Sequence, residues 1–383
     1  MSDEGTRALL PAGLRDLLPP EAAHEARLRE SLLATLAAYG YERVSPPLVE
    51  FEDGLLSGLG AATAGETFRL MDPVSQRMMG VRADMTPQIA RLATTRLAAA
   101  PRPLRLSYAG EVLRVRGSQL RPERQFVQVG AELIGSAAAA ADAEAVLLAA
   151  AALDQVGVKQ LSVDLNSPTL VTALLAGLGC SAGETAALRA ALERKNAAEV
   201  SRVGGAAAGL AKALLEAAGK AERALAALAS LALPPASAAE AARLAEVATL
   251  VEKARPELAL TIDPVEYRGF EYQTGVSFTL FARGVRGELG RGGRYLAGSG
   301  EGEPATGFTL FLDSVIRAVP EPGAERKLFL PYATAPAAAE KLRADGWTAL
   351  AALAPAADPR AEAKRLGCSH LWLDGKIVAV DKP

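Results

Sequence analysis

Residues 111–135, EVLRVRGSQLRPERQFVQVGAELIG, place two runs of β-strand character on either side of a turn-rich loop. Strict alternation in the second run puts Arg124, Gln128 and Glu132 on one face. The other face is apolar and carries Val127, Val129, Ala131 and Leu133. Such an apolar face packs an antiparallel sheet against a core. The polar face either lines a pocket for a small zwitterion or is a solvated outer surface, and alternation alone does not decide between the two.

The same segment resembles motif 2 of class II aminoacyl-tRNA synthetases, in the form found in histidyl-tRNA synthetases. That motif reads Phe-Arg-x-Glu and then Arg-Gln-Phe-His-Gln-x-Gly-x-Glu, where this chain has Leu-Arg-Val-Arg (113–116) and Arg-Gln-Phe-Val-Gln-Val-Gly-Ala-Glu (124–132). Four further blocks are similar to the family and follow its order, namely 80–86, 267–275, 292–295 and 307–315. The resemblance implies an α+β fold, with a class II synthetase-like antiparallel sheet flanked by helices, a helical insertion and a small C-terminal α/β domain.

The departures from the family motifs fall on the groups that hold ATP. The resemblance implies that Arg114 keeps the place of the arginine that grips the α-phosphate, whereas Arg116 replaces the motif 2 glutamate and Ser314 replaces the motif 3 arginine. Leu296 stands where an aspartate is usual. Each charge-assisted bond to a phosphate contributes about 1.5–3 kcal/mol, so we expect no catalysis. Arg317, one helical turn beyond Ser314, is an alternative cation.

The amino-acid side of the family's pocket is better retained. The resemblance implies a histidine site made of Asp84, Thr86, Arg114, Gln128, Glu132, Arg268, Tyr272 and Tyr295. Carboxylates can pair with the ligand ammonium and Arg268 with its carboxylate, while the amide and the tyrosines can hydrogen-bond the imidazole or the ligand backbone. The alternative for Glu132 and Arg268 is a buried ion pair that only holds the sheet together.

A histidine-binding synthetase fold with a broken ATP site resembles the regulatory subunits of ATP phosphoribosyltransferase. This implies a non-catalytic chain that binds L-histidine and regulates a short-form catalytic subunit in the first step of histidine biosynthesis. It also implies a homodimer within a hetero-oligomer, such as a hetero-octamer, without tRNA as a partner. The alternatives are an active histidyl-tRNA synthetase and a free-standing paralogue that transfers an amino acid with ATP.

Composition agrees with this expectation. The net charge is −2, and the sequence contains no run of five or more basic residues that would indicate a nucleic-acid tail. Cys180 and Cys368 have no metal-binding spacing, so neither a metal nor a cofactor is expected. The N-terminus has no export signal and the alanine-rich stretches are interrupted by charges, so we expect a cytoplasmic protein that does not cross a membrane.

Periodicity outlines the organisation of the chain. Residues 21–39 form an amphipathic helical pattern whose apolar stripe is Leu28, Leu32, Leu33, Leu36 and Ala37. It precedes residues 40–47, where motif 1, the dimer element of the family, is expected. The core is predicted to span 1–320, with the helical insertion at about 170–255, and residues 321–383 resemble a reduced anticodon-binding domain. The glycine-rich stretch 277–300 is predicted to form tight turns between antiparallel strands.

Overall fold

The computed structural model describes residues 9–118, 121–266, 272–298, 302–321 and 326–380. Residues 1–320 and 321–383 form two compact units. The strands of the first unit are β1 (Glu42–Arg43), β2 (Val49–Phe51), β3 (Phe68–Met71), β4 (Met78–Val81), β5 (Leu104–Leu113), β6 (Gln125–Ile134), β7 (Leu161–Asn166), β8 (Gly219–Lys220), β9 (Ala259–Ile262), β10 (Ser277–Ala282), β11 (Gly290–Ala297) and β12 (Glu303–Phe311). Its helices are α1 (Glu21–Ala38), α2 (Glu52–Leu55), α3 (Thr86–Thr94), α4 (Ala139–Gln155), α5 (Pro168–Gly177), α6 (Ala182–Glu193), α7 (Ala197–Val203), α8 (Ala208–Ala217), α9 (Ala221–Ala229), α10 (Pro235–Ala254) and α11 (Leu312–Ala318).

A nine-stranded sheet in the order β1-β5-β6-β12-β11-β10-β7-β9-β8 forms the framework of this unit. The six central strands, which lie in the order β5-β6-β12-β11-β10-β7, all pair antiparallel with their neighbours in this set, as the sequence predicts. Two pairs, β1 with β5 and β7 with β9, are parallel, so the sheet as a whole is mixed. Parallel pairing requires a long crossover connection, and helices α5 to α10 lie in the one between β7 and β9.

One face of the sheet is buried by α1 and α4. The four leucines of the predicted stripe on α1 are buried, but Ala37 is exposed, so its assignment to the stripe is wrong. Ala37 lies in the last turn of α1, beyond the edge of the arc that the four buried leucines cover. The apolar residues of β6, such as Val127 and Val129, belong to this core.

The opposite face of the central sheet carries α3 and a smaller core that includes Met85, Ile89, Tyr108 and Tyr295. A three-stranded sheet, β2-β4-β3, stands beside it. The sequence predicts a hairpin here, because residues 67–71 and 78–82 have strand character on either side of the turn residues 72–75, and the antiparallel pair β3–β4 confirms it. Helix α3 therefore covers one part of this face, and the remainder is open as a cavity.

The glycine-rich stretch serves two purposes. Gly284 and Gly287 lie between β10 and β11 with φ of +81° and +85°, as tight turns require. Residues 290–293 instead lie inside β11, so the prediction of turns is wrong for their glycines. A Cβ atom at Gly292 would lie 2.3 Å from the carbonyl oxygen of Gly307, which shows that close approach of backbone is the reason for glycine there.

The second unit, residues 321–383, is a small α/β structure with its own core. Its sheet has the order β14 (Thr348–Ala351), β13 (Lys327–Leu330), β15 (His370–Leu373) and β16 (Lys376–Ala379), with β13 parallel to both of its neighbours and the last pair antiparallel. Apolar side chains of β13, such as Leu328 and Phe329, fill the two sides of this sheet. The helices are α12 (Pro336–Ala344) and α13 (Pro359–Arg365).

Candidate functional site

A cavity of about 920 Å³ opens on the face of the central sheet opposite α1 and α4. Its lining includes the predicted residues Asp84, Thr86, Arg114, Gln128, Glu132, Tyr272 and Tyr295, together with Arg116 and Ser314. Arg268 lies outside the described residues. The polar face of β6 is therefore not a solvated surface, and Gln128 and Glu132 are each only 1 % exposed.

Glu132 marks what we call the acidic end of the cavity, formed by Asp84, Thr86, Gln128, Glu132 and Tyr295. Three hydroxyl groups donate hydrogen bonds to the Glu132 carboxyl group, those of Thr86 and Tyr108 at 3.1 Å and that of Tyr295 at 2.9 Å. Burial, with a smaller effect of nearby Asp84, raises the pKa of Glu132 to about 8, although the hydroxyls act in the opposite direction. The ligand-free site therefore holds a largely protonated carboxyl group near neutral pH.

Two glycines make room for this arrangement. A Cβ atom at Gly307, on β12, would lie 1.8 Å from Oε2 of Glu132, and one at Gly130 would lie 2.4 Å from the ring of Tyr108. Gly307 is paired directly with Glu132 across the β6–β12 ladder. The carboxyl group can lie flat over β12 only because residue 307 has no side chain.

Gln128 and Asp84 form the second part of the acidic end. The Gln128 amide accepts a hydrogen bond from the backbone N–H of Met85 at 3.0 Å and donates one to Oδ1 of Asp84 at 2.8 Å. Both hydrogen bonds connect β6 to the segment that begins α3. The amide is thereby oriented, and the half-buried Asp84 carboxylate keeps a free side toward the cavity.

The Gly-Gly-Arg-Tyr block divides its two polar side chains between the two faces of β11. Tyr295 is buried in the cavity wall, where its ring meets that of Tyr272 edge-on at 6.3 Å. Arg294 points the other way, and its guanidinium donates to Asp142 on α4 and to the carbonyls of Ser136 and Ala138. Arg294 is therefore a structural residue, while its neighbour belongs to the site.

The side of the cavity that the resemblance assigns to ATP, here called the arginine side, contains Arg114, Arg116, Arg121, Phe126, Phe311 and Ser314. Arg114 is held by Glu66 at 3.3 Å and by the carbonyl of Ala83 at 3.2 Å. Arg317 donates a hydrogen bond to the Ser314 hydroxyl but is not among the residues that line the cavity, so it does not supply a cation to the cavity. Arg124 also lies outside the lining, where it donates to the carbonyls of Arg114 and Ala12, because it precedes β6 and does not follow its alternation.

Sequence reasoning missed several residues of the site. Tyr108 and Thr309 share a hydrogen bond of 2.7 Å directly behind Glu132. Gly130, which lies between Gln128 and Glu132 on the polar face of β6, was the available signal, because it is opposite Tyr108 in the β5–β6 ladder. The pair formed by Arg291 and Glu288, at 2.6 Å in the cavity wall, had no signal in the sequence.

Comparison with known proteins agrees with the fold. The family model of histidyl-tRNA synthetase matches residues 13–315, most of the chain. The chain is thus a protein of the histidyl-tRNA synthetase type, with the class II synthetase fold that the sequence predicts.

Full-length relatives define the family more narrowly. ATP phosphoribosyltransferase regulatory subunits from Rhodospirillum centenum and Paramagnetospirillum magneticum are each 58% identical to this chain, over 98% and 100% of it and 97% and 100% of their own lengths. The chain belongs to the family of ATP phosphoribosyltransferase regulatory subunits, which confirms the predicted family. A Bacillus halodurans structure described as an ATP phosphoribosyltransferase regulatory subunit/histidyl-tRNA synthetase has a TM-score of 0.80 at 25% identity, covering 93% of this chain and 96% of that one.

The described residues contain neither a membrane-spanning helix nor a metal-binding group of side chains. None of the described helices has the length and apolar character needed to cross a membrane. Within the same residues, no three His, Cys, Asp or Glu side chains are grouped so that they could hold a metal ion.

Proposed function

We propose that this chain is a regulatory subunit without catalysis of its own, which binds L-histidine at the acidic end of the cavity. We further propose that it controls a short-form catalytic subunit of ATP phosphoribosyltransferase. The proposal rests on a contrast between the two parts of one cavity, the acidic end and the arginine side. Hydroxyl and amide groups surround Glu132 and Asp84 in an ordered arrangement, while the motif 3 cation position is occupied by Ser314.

Histidine fits the chemistry of the acidic end. Its ammonium group can pair with Asp84 and with Glu132, which loses its proton as the cation binds. Gln128, Tyr272 and Tyr295 present donors and acceptors for the imidazole or the ligand backbone. Arg268, for the ligand carboxylate, stays a prediction because it lies outside the described residues.

The proposed lack of catalysis follows from the arginine side. Arg116 stands in place of a glutamate, and Arg317, the alternative cation, donates to Ser314 from outside the lining. Groups aimed at transition-state charge contribute about 10²–10³ in rate each. Ser314 replaces the motif 3 arginine and Arg116 reverses the charge of the motif 2 glutamate. Of the three groups that hold ATP for adenylate formation, only Arg114 is left.

Assembly and domain roles belong to the same proposal. We propose a cytoplasmic homodimer within a hetero-oligomer such as a hetero-octamer, with the motif 1 region, residues 40–47, at the dimer interface. Residues 170–255 correspond to the helical insertion of the synthetases, and residues 321–383 to a reduced anticodon-binding domain that no longer reads tRNA. The helices α5–α10 and the separate α/β unit support this assignment.

Calorimetric titration with histidine tests the ligand. Wild-type protein is expected to bind histidine saturably, and Glu132→Gln to lose at least tenfold in affinity, because the neutral amide cannot pair with the ammonium. Glu111→Gln is the matched control, since it makes the same change on an exposed residue of the adjacent strand β5. Equal affinities of the two variants would place histidine elsewhere.

Catalysis and partnership need separate assays. Histidine-dependent ATP–pyrophosphate exchange should be absent, and exchange at ordinary enzyme rates would favour the synthetase alternative. Mixing the chain with a short-form catalytic subunit should give one larger species in light scattering and should change phosphoribosyltransferase activity in a histidine-dependent way. Two unmixed species with unchanged activity would contradict the regulatory role.

A further inference from the structure

Arg121 is the most enclosed cation of the arginine side. Its guanidinium lies 3.7 Å from the ring centroid of Phe311 and 5.0 Å from that of Phe126. Carboxylates of Asp313 and Glu288 pair with it at 3.3 and 3.8 Å, and its side chain is only 11 % exposed. A planar cation thus lies over the ring of Phe311, with the nearly perpendicular ring of Phe126 further away, and is compensated by two acids inside the cavity.

Contacts of the described residues next to Arg121 hold its backbone in place. The N–H of Ser118 donates to the carbonyl of Arg121 at 2.6 Å, and the N–H of Arg121 donates to the Ser118 hydroxyl at 3.0 Å. A Cβ atom at Gly117 would lie 2.3 Å from the carbonyl oxygen of Pro122, so only glycine permits this close turn. The contacts of Gly117 and Ser118 with residues 121 and 122 therefore fix the backbone position of Arg121.

A nucleobase can stack on an aromatic ring such as that of Phe311, which lies under Arg121, since flat aromatic faces accept bases and guanidinium groups alike. The cavity of about 920 Å³ lies near the upper end for small-molecule sites and is larger than one amino acid fills. Room for a second, nucleotide-sized ligand therefore exists, but its stacking surface is already occupied by a side chain of the protein.

We propose that Arg121 is a tethered plug, which covers the face of the Phe311 ring, beside Phe126, on which a base could otherwise stack, and so closes the arginine side to purine nucleotides. The contacts of Arg121 are separate from those of Glu132, so the acidic end stays open to an amino acid. The proposal goes beyond regulation by histidine, because it assigns the exclusion of nucleotide to a covered stacking surface in addition to the absent phosphate-binding groups.

Calorimetric titration of the full chain with AMP and with ribose 5-phosphate tests the plug. Wild-type protein should bind AMP weakly, and Arg121→Ala should bind it about tenfold more tightly or better, the effect of one base–aromatic stack. Ribose 5-phosphate lacks a base, so its affinity should not rise. Arg77→Ala is the matched control, because Arg77 is likewise stacked on a ring, that of Phe51 at 3.8 Å, and paired with an aspartate, outside the cavity.

Arg121→Lys provides the second variant, since it keeps a cation beside Asp313 and loses the flat group. It should also gain AMP affinity, and it should remain folded even if the alanine variant fails to fold. Unchanged AMP affinity in both variants would overturn the proposal, as would an equal gain for ribose 5-phosphate. Histidine titrations on the same preparations separate this result from the proposed function, because histidine affinity should change by less than about twofold.

Discussion

Among single residues, Glu132 determines the character of the site. Its described hydrogen-bond partners are hydroxyl groups, which satisfy a carboxyl group in either protonation state because a hydroxyl can donate or accept. Protein interiors rarely bury an acid in this way without a functional reason. The carboxyl group is largely neutral in the ligand-free site, and a bound cation would favour its ionised form.

The raised pKa of Glu132 makes stability depend on pH. The folded protein keeps this proton up to about pH 8, whereas the unfolded chain releases it near 4.5. The contribution of this group is therefore greatest below pH 4.5 and is lost as pH rises toward 8, by about 1.4 kcal/mol per pH unit. Glu132→Gln does not titrate, so its free energy of unfolding, relative to wild type, should rise between about pH 5.5 and about pH 7.5.

Urea denaturation at the two pH values measures this difference. Glu30→Gln serves as a control, because Glu30 is exposed and pairs only with neighbouring arginines on the surface. The control should follow the wild-type pH dependence. Parallel curves for Glu132→Gln and wild type would show that the carboxyl group is ionised in the ligand-free protein.

At the scale of elements, glycines inside β6, β11 and β12 set how closely strands and side chains approach. Gly307 is the tightest case, because Oε2 of Glu132 occupies the space that a Cβ atom would need. Gly307→Ala should therefore displace the carboxyl group, lower the free energy of unfolding by about 1–3 kcal/mol and weaken histidine binding at least tenfold. Thermal and calorimetric titrations measure the two effects.

Gly209→Ala is the control for this substitution. Gly209 lies in α8, and a Cβ atom there would meet nothing within 4 Å. Alanine is favoured over glycine in a helix by about 0.5–1 kcal/mol, so this variant should be slightly stabilised. If both variants lost stability equally, the crowding argument for Gly307 would be incorrect.

The buried pair between Asp142 on α4 and Arg294 on β11 fastens a helix to the sheet. Asp142→Ala should cost about 3–5 kcal/mol, because it leaves a buried guanidinium without its carboxylate. Urea denaturation measures the cost, and Glu362→Ala, which removes an exposed pair within α13, should stay within about 0.5 kcal/mol of wild type. A loss below about 1 kcal/mol for Asp142→Ala would mean that Arg294 finds other partners.

At the scale of the whole molecule, the chain contains two compact units, and both of its tryptophans, Trp347 and Trp372, belong to the second. Tryptophan fluorescence therefore follows the unfolding of residues 321–383, whereas circular dichroism at 222 nm is dominated by the helices of the first unit. Units with separate cores need not unfold together. The two signals are expected to give different denaturation midpoints.

Core substitutions assign each transition. Leu330→Ala, in the core of the second unit, should lower the fluorescence midpoint and cost about 2–5 kcal/mol while leaving the circular dichroism midpoint in place. Leu36→Ala, in the core of the first unit, should do the reverse. If both variants moved both signals together, the units would be one cooperative structure.

Local pattern predicted much of this molecule. Alternation in β6, the leucine stripe of α1 and the turn at 72–75 each depend on neighbours in sequence, and the structure confirms them with the exceptions of Arg124 and Ala37. The order of the motif blocks predicted the family and the fold. These features follow from residue spacing because strands repeat every two residues and helices every 3.6.

Tertiary structure alone decided which side chains meet. The sequence placed Gln128 and Glu132 on one face of a strand, but burial of that face, the hydroxyls around Glu132 and the raised pKa arise from β5, β11 and α3, which are distant in the chain. Arg121 on Phe311 likewise joins residues 190 positions apart. Desolvation and stacking depend on three-dimensional neighbours, and no local periodicity encodes those neighbours.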